Sequence, residues 1–196
     1  MSRTLSSDHK FSRADWLRLF LVCAFPLHLW TLLMTFRDIN WVAERTTVWD
    51  ALGFSGYALF YTLIESALLF LFISLLSLLV PRGWSKTMRF LTLSLTAFVL
   101  AGWSIMEQLI LIVFYGRLRH LGAAWPWLGG TSAPMWIAGV LVTLTMVIPL
   151  WILLGREKLQ NGLASILGRL TILSGLYLVL DGAGLIVILI RNLAGG

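Results

Sequence analysis

The chain predicts an all-α fold, a polytopic membrane protein built as a bundle of five transmembrane helices with a short interfacial helix after the first. Three observations carry that expectation. Five long apolar stretches, near residues 16–36, 57–80, 88–115, 135–154 and 163–190, fill most of the 196 residues. Charged residues make up 12% of the composition, about half of the ~25% typical of soluble domains. Lysine and arginine also crowd into alternate connectors, as they do in membrane proteins of fixed orientation.

Residues 1–15 are polar and serine-rich, and Asp15 is placed to cap the helix that follows. The stretch 16–36 holds Pro26, which neighbouring groups can accommodate in a membrane helix. It is long for a signal-peptide core and no small-x-small cleavage pattern follows it, so it reads as a retained first span. Between 37 and 56, Trp41, Val42, Val48, Trp49 and Leu52 fall on one helical face, with Glu44, Arg45 and Asp50 opposite. That pattern predicts a short helix lying in the outer interface, capped by Asn40.

In the second span, Gly53 and Gly56 mark a bend or a close contact, and Pro81 ends the stretch. The short connector 82–87 makes spans two and three antiparallel neighbours. Connector 116–134 carries Trp125, Pro126, Trp127, Gly129 and Gly130, a turn-rich composition with aromatic anchors. The fourth span contains Pro149. The fifth repeats Gly168, Gly175 and Gly182 at seven-residue intervals, a stripe that lets a partner backbone approach, from within the chain or from another subunit. Trp41, Trp49, Trp125, Trp127 and Trp136 gather towards one face of the membrane, with Trp16 and Trp84 at the other, as an aromatic belt requires.

The net charge of +6 is a topology signal rather than a nucleic-acid one. Arg3, Lys10, Arg13, Arg18, Arg82, Lys86, Arg89, Arg156, Lys158 and Arg169 fall on one side, ten of the 15 basic residues. The positive-inside rule then puts the N-terminus in the cytoplasm and the C-terminus outside, with acidic lipid headgroups as partners. Cys23, alone and within the first span, excludes an intrachain disulfide or a cysteine-based metal site and reads as a small core residue.

Polar residues inside the spans carry the functional expectation. His28 is eight residues from Phe36, Glu65 eight from Tyr57, Glu107 eight from Tyr115 and Asp181 nine from Ile190. At 1.5 Å per residue these depths are about 12–14 Å, near the middle of a core about 30 Å thick. An ionised group there costs about 3 kcal/mol unless paired or wetted, so four at one level form a candidate intramembrane cluster. Hydroxyls at helical spacing accompany them: Thr31 and Thr35 with His28, Thr62 with Glu65, Ser174 and Tyr177 with Asp181. Such a layer could orient helices, pass protons or bind a cation, or ligate a metal.

Catalytic strings are weak. Gly53-Phe54-Ser55-Gly56 matches the G-x-S-G string of rhomboid proteases, yet spans two to five hold no histidine partner and His120 sits in a connector. No H-E-x-x-H, phosphate-binding glycine loop or Cys/His cluster occurs, so no catalytic residue, metal ligand or cofactor is assigned and the cofactor is unknown. The expected role is an accessory or assembly subunit of a larger membrane complex. A proton- or cation-coupled carrier comes second, and an enzyme acting on a lipidic substrate near Arg117 and Arg119 third. Membrane lipids, a membrane-protein partner or a second copy are the expected partners. Short connectors without an N-x-S/T sequon point to a bacterial inner membrane.

Overall fold

A computed structural model describes residues 11–81, 83–124 and 133–194; side chains at 110–124, 133–135 and 194 lie outside that description. Five helices follow one another: α1 (Arg13–Arg45), α2 (Val48–Leu76), α3 (Lys86–Ala124), α4 (Ala133–Leu154) and α5 (Glu157–Ala194). All five are long and apolar enough to cross a membrane, so the chain is an integral membrane helical bundle. Successive helices alternate in direction. The end where α1 begins is called basal below, and the opposite end distal.

Local chemistry sets the boundaries. Ser12 caps α1 in a reciprocal box, its hydroxyl accepting from the Asp15 amide while the Asp15 carboxylate accepts from the Ser12 amide at 2.7 Å. At 33 residues α1 is about 50 Å long, longer than the hydrocarbon core is thick, so its ends project beyond it. The short helix expected between the first two spans takes a different form. Its residues are divided between the distal end of α1 and the start of α2, with the break at Thr46–Thr47. Thr46 ends α1, its hydroxyl donating to the Val42 carbonyl at 2.8 Å. Thr47 caps α2 by accepting from the Asp50 amide at 3.1 Å. Asn40, expected as a cap, sits inside α1.

Helix α2 stops at Leu76, short of Pro81, because the chain tightens into i→i+3 bonds from Leu78 to Leu75 and from Leu79 to Leu76. Helices α4 and α5 are joined by Gly155 and Arg156 alone, a closer junction than the 155–162 connector expected. Gln160 allows it, donating from its amide to the Leu153 carbonyl at 2.9 Å and so satisfying an orphan acceptor at the end of α4.

The apolar core lies in the basal half. Leu19 and Cys23 of α1 pack with Ile73 of α2 and with Leu93 and Ala97 of α3. Val22 packs with Met88 and Leu91 of α3, Leu153 of α4 and Leu167 of α5. Phe11, Trp16, Phe20 and Phe70 form an edge-to-face chain at that end, and Lys86 pairs with Asp15 at 2.6 Å, joining the starts of α3 and α1. Cys23 is a buried small residue there. Helix α4 is peripheral: 6% of its apolar window is buried within the chain.

Distally, α2 and α5 meet backbone to backbone. A Cβ on Gly56 would lie 2.9 Å from the Gly184 carbonyl oxygen, so only glycine allows the approach. Gly53 abuts the Arg191 side chain, which pairs with Asp50, and Tyr57 donates to Asn192 at 3.2 Å. The Gly53–Gly56 string thus marks helix packing, and the Ser55 hydroxyl is engaged with the Ala51 carbonyl. By contrast, a Cβ at Gly168, Gly175 or Gly182 would meet nothing within 4 Å among the described residues. Within the chain, the close approach of two backbones is made by Gly56 and Gly184. Of the belt tryptophans, Trp41, Trp49 and Trp136 are exposed; Trp125 and Trp127 lie outside the described residues.

These contacts predict opposite outcomes for two sets of glycine changes. Gly56→Leu should force α2 from α5 and destabilise the protein by about 1–3 kcal/mol, the usual range for overpacking. The triple change of Gly168, Gly175 and Gly182 to Ala should leave the melting temperature unchanged or raised, since alanine favours helix over glycine. Thermal melts of the detergent-purified monomer compare the two, and a drop for the triple variant would mean that the stripe is packed.

Candidate functional site

Helical spacing places the polar side chains between the apolar basal core and the distal glycine contact. On α1, Ala24, His28, Thr31 and Thr35 follow one another near i, i+4, i+7 and i+11, along one face. On α2, Thr62 and Ser66 are one turn apart, and on α5 Ser174 and Asp181 are two turns apart. The small hydroxyls satisfy themselves locally. Thr62 donates to the Ala58 carbonyl at 2.9 Å, Ser66 to that of Thr62 at 2.7 Å, and Ser174 to that of Leu170 at 3.0 Å. They therefore bring little volume and no unmet demand to the interior.

His28 is fully buried, at 0% exposure, and Asp181 is 4% exposed. The imidazole Nε2 lies 2.9 Å from Asp181 Oδ2 and 3.1 Å from Oδ1, bridging α1 to α5. Its Nδ1 lies 2.9 Å from the Ala24 carbonyl, one turn back on α1. Ser66 Oγ is 3.5 Å from the same nitrogen, and the Tyr177 ring stacks on the imidazole with centroids 5.7 Å apart and planes 8° from parallel. Phe25 continues the stack on Tyr177.

This arrangement fixes a proton count. A carbonyl only accepts, so Nδ1 carries a hydrogen directed at Ala24. One further proton must lie between Nε2 and the carboxylate for that contact to be a hydrogen bond. Whether drawn as imidazolium with carboxylate or as imidazole with carboxylic acid, the pair is then neutral as a unit. Removing the shared proton would leave one negative charge in the bundle interior, a costly state without a compensating cation.

Beside the pair, a groove of about 270 Å³ opens between α1, α2 and α3. Thr31 and Thr62 join hydroxyls across it at 2.6 Å. Because Thr62 already donates to Ala58, Thr31 is the donor. Trp30 Nε1 donates to Gln108 Oε1 at 2.7 Å, closing the α1–α3 side. Asp38 and Glu65 are the acidic groups in its lining. Asp38 is held by Arg37 at 2.7 and 2.8 Å; among the described residues, no hydrogen bond or ion pair engages Glu65. Thr62 and Ser66 link the groove to the imidazole.

The four residues expected to form one cluster are thus distributed over three environments. His28 and Asp181 come together in the interior. Glu65 is exposed and faces the groove. Glu107 is exposed on α3 and is not part of the groove lining. Contacts of Thr31 with Thr62, of Trp30 with Gln108 and of His28 with Ser66 set these residues at similar heights along the bundle. Height follows from residue count, whereas direction follows from helix rotation, and there the carboxylates part. No group of three or more His, Cys, Asp or Glu suited to a metal occurs among the described residues. The side chains of Arg117, Arg119 and His120 lie outside the described residues.

Sequence reading missed Ser66 and Trp30. Ser66 had a signal in the Ala58–Thr62–Ser66 spacing of small residues, which marks a face that neighbours can approach. Trp30 had none, since a tryptophan in a span reads as apolar until its N–H finds a partner. No family model, curated protein or solved structure was found to match this chain.

Asp181→Leu would strand His28 in the interior with Nε2 unpaired, and breaking a buried pair in this way costs about 3–5 kcal/mol. Asp181→Asn should be far milder, because the amide N–H can donate to Nε2 while Nδ1 keeps its hydrogen. Melting temperatures in detergent should rank wild type close to Asp181→Asn and well above Asp181→Leu; equal melting of all three would show that the pair contributes nothing to stability.

Proposed function

We propose that the protein is a small proton- or cation-coupled carrier in which the buried His28–Asp181 pair holds the exchangeable proton and the groove admits the coupled solute. The observation that carries this reading is the junction of the two. Thr62 lines the groove, its carbonyl accepts the Ser66 hydroxyl, and Ser66 Oγ lies beside His28 Nδ1. A solute entering near Thr62 would thereby be within one helical turn of a group whose charge changes by one unit when it gives up a proton. Coupling needs such a difference, because a ligand shifts an equilibrium only through unequal interaction with its two states.

In this reading His28, Glu65 and Asp181 act within the hydrocarbon region, where ionisable residues usually serve transport or proton relay. The side to which the sequence assigns ten of the 15 Lys and Arg is cytoplasmic, and the C-terminus is outside. A bacterial inner membrane is the setting the short connectors favour.

A second reading, an accessory or assembly subunit, is favoured by a separate observation. Helix α4 buries little of itself within the chain, and among the described residues nothing packs against the α5 glycine stripe. Purification in mild detergent followed by mass spectrometry of what travels along would reveal a stoichiometric partner under that reading.

The carrier reading is tested with Asp181→Asn, which keeps a hydrogen bond to His28 but has no carboxyl proton to exchange. Proteoliposomes containing a pH-sensitive dye, challenged with a panel of monovalent cations, amines and carboxylic acids, should respond for wild type and lose at least nine-tenths of that response in the variant. Matching dye responses from the two proteins would sink the proposal.

A further inference from the structure

The groove between α1, α2 and α3 has a lining whose chemistry narrows what it can hold. Its formally charged members, Asp38 and Glu65, are both acidic. Arg37 already neutralises Asp38 through two bonds, which leaves Glu65 as the acidic group without an ion-pair partner among the described residues. Trp30, Phe54 and Tyr61 contribute aromatic rings, and Leu27, Met34 and Ile105 contribute aliphatic surface. A carboxylate, three aromatic residues and an apolar bed in one cavity complement a positive centre carried on a greasy body, because cations favour both carboxylates and ring faces where water is scarce. A phosphate-bearing headgroup suits the lining less well, as the described residues in it include no cationic side chain to receive the phosphate.

We infer that this groove binds a lipophilic monovalent cation, with its positive centre at Glu65 and its apolar body against Leu27, Met34 and Ile105. The inference names a substrate class for the carrier reading and rests on it for biological meaning; the binding itself stands apart from transport. Thr31 and Thr62 are occupied with each other, so the ligand needs no hydrogen-bond donor, and a quaternary centre suffices. The volume of about 270 Å³ is that of an open groove, so it takes a compact organic cation whole or a bulkier one with part of its apolar body left outside.

The test uses the full-length protein in a non-ionic detergent and radiolabelled tetraphenylphosphonium as probe. Binding should be saturable, and Glu65→Gln should weaken it at least tenfold. Glu107→Gln removes an exposed carboxylate at a similar height outside the groove and should change affinity less than twofold. Equal losses in the two variants would overturn the site by showing general attraction to acidic residues. Competition by tetraphenylborate as strong as that by unlabelled cation would overturn the charge argument. Displacement by phosphatidylethanolamine but not by phosphatidylglycerol would give the groove to a lipid headgroup instead. Folding of each variant is checked by its melting temperature, and Glu65→Asp, which restores the charge, should recover part of the affinity if Glu65→Gln melts early. Saturable binding without a proton response in vesicles would keep this site and remove the carrier reading; a proton response without probe binding would do the reverse.

Discussion

A histidine and an aspartate, from helices that begin and end the chain, share one proton in the interior, and the rest of the bundle is arranged to permit it. Each group alone would be expensive to bury; together, with a carbonyl at Nδ1, they satisfy one another's hydrogen bonds. The pair is also directional. For Nε2 to reach Asp181 while Nδ1 faces Ala24, α1 and α5 must adopt one rotation about their axes. Apolar packing between membrane helices sets rotation only loosely, since lipid tails compete for the same contacts. A buried polar contact removes that freedom.

Helix α2 then has to fit beside both partners, and its sequence supplies small residues where it does. Gly56 lets its backbone approach Gly184, and Ser66, next to His28, brings an oxygen rather than a bulky side chain. The two ends of the bundle are held by different means. Basally, branched aliphatics, aromatic edges and the Lys86–Asp15 pair join α1, α2 and α3. Distally, Arg191–Asp50 and Tyr57–Asn192 clamp α5 to α2, while the groove lies between α1, α2 and α3. Packed at one end and open at the other, the bundle places its proton-bearing pair where the two regimes meet.

Glu65 and Glu107 illustrate what residue counting can and cannot do. Both sit at heights like that of His28, and residue count alone groups both with it. Only the groove distinguishes them: one carboxylate lines a cavity with aromatic neighbours, the other lies on an exposed helix surface. The Thr46–Thr47 break teaches a similar lesson about helix ends. The apolar stripe from Trp41 to Leu52 is real, yet adjacent threonines, one closing α1 and one capping α2, divide it. Hydroxyl capping at a specific pair of residues outweighed a periodicity spread across both.

The amino-acid sequence by itself determined the number of spans, their alternating direction and the relative height of each polar side chain along its helix, because hydropathy, charge bias and a fixed rise per residue are properties of a single segment. It also identified His28 and Asp181 as groups that a membrane interior would not tolerate unpaired. Tertiary structure alone decided which acid His28 meets, which glycines bring two backbones together and which carboxylate faces a cavity. Those outcomes turn on the rotation of each helix about its axis relative to four others, and one side-chain contact in the interior fixes that rotation for α1 and α5.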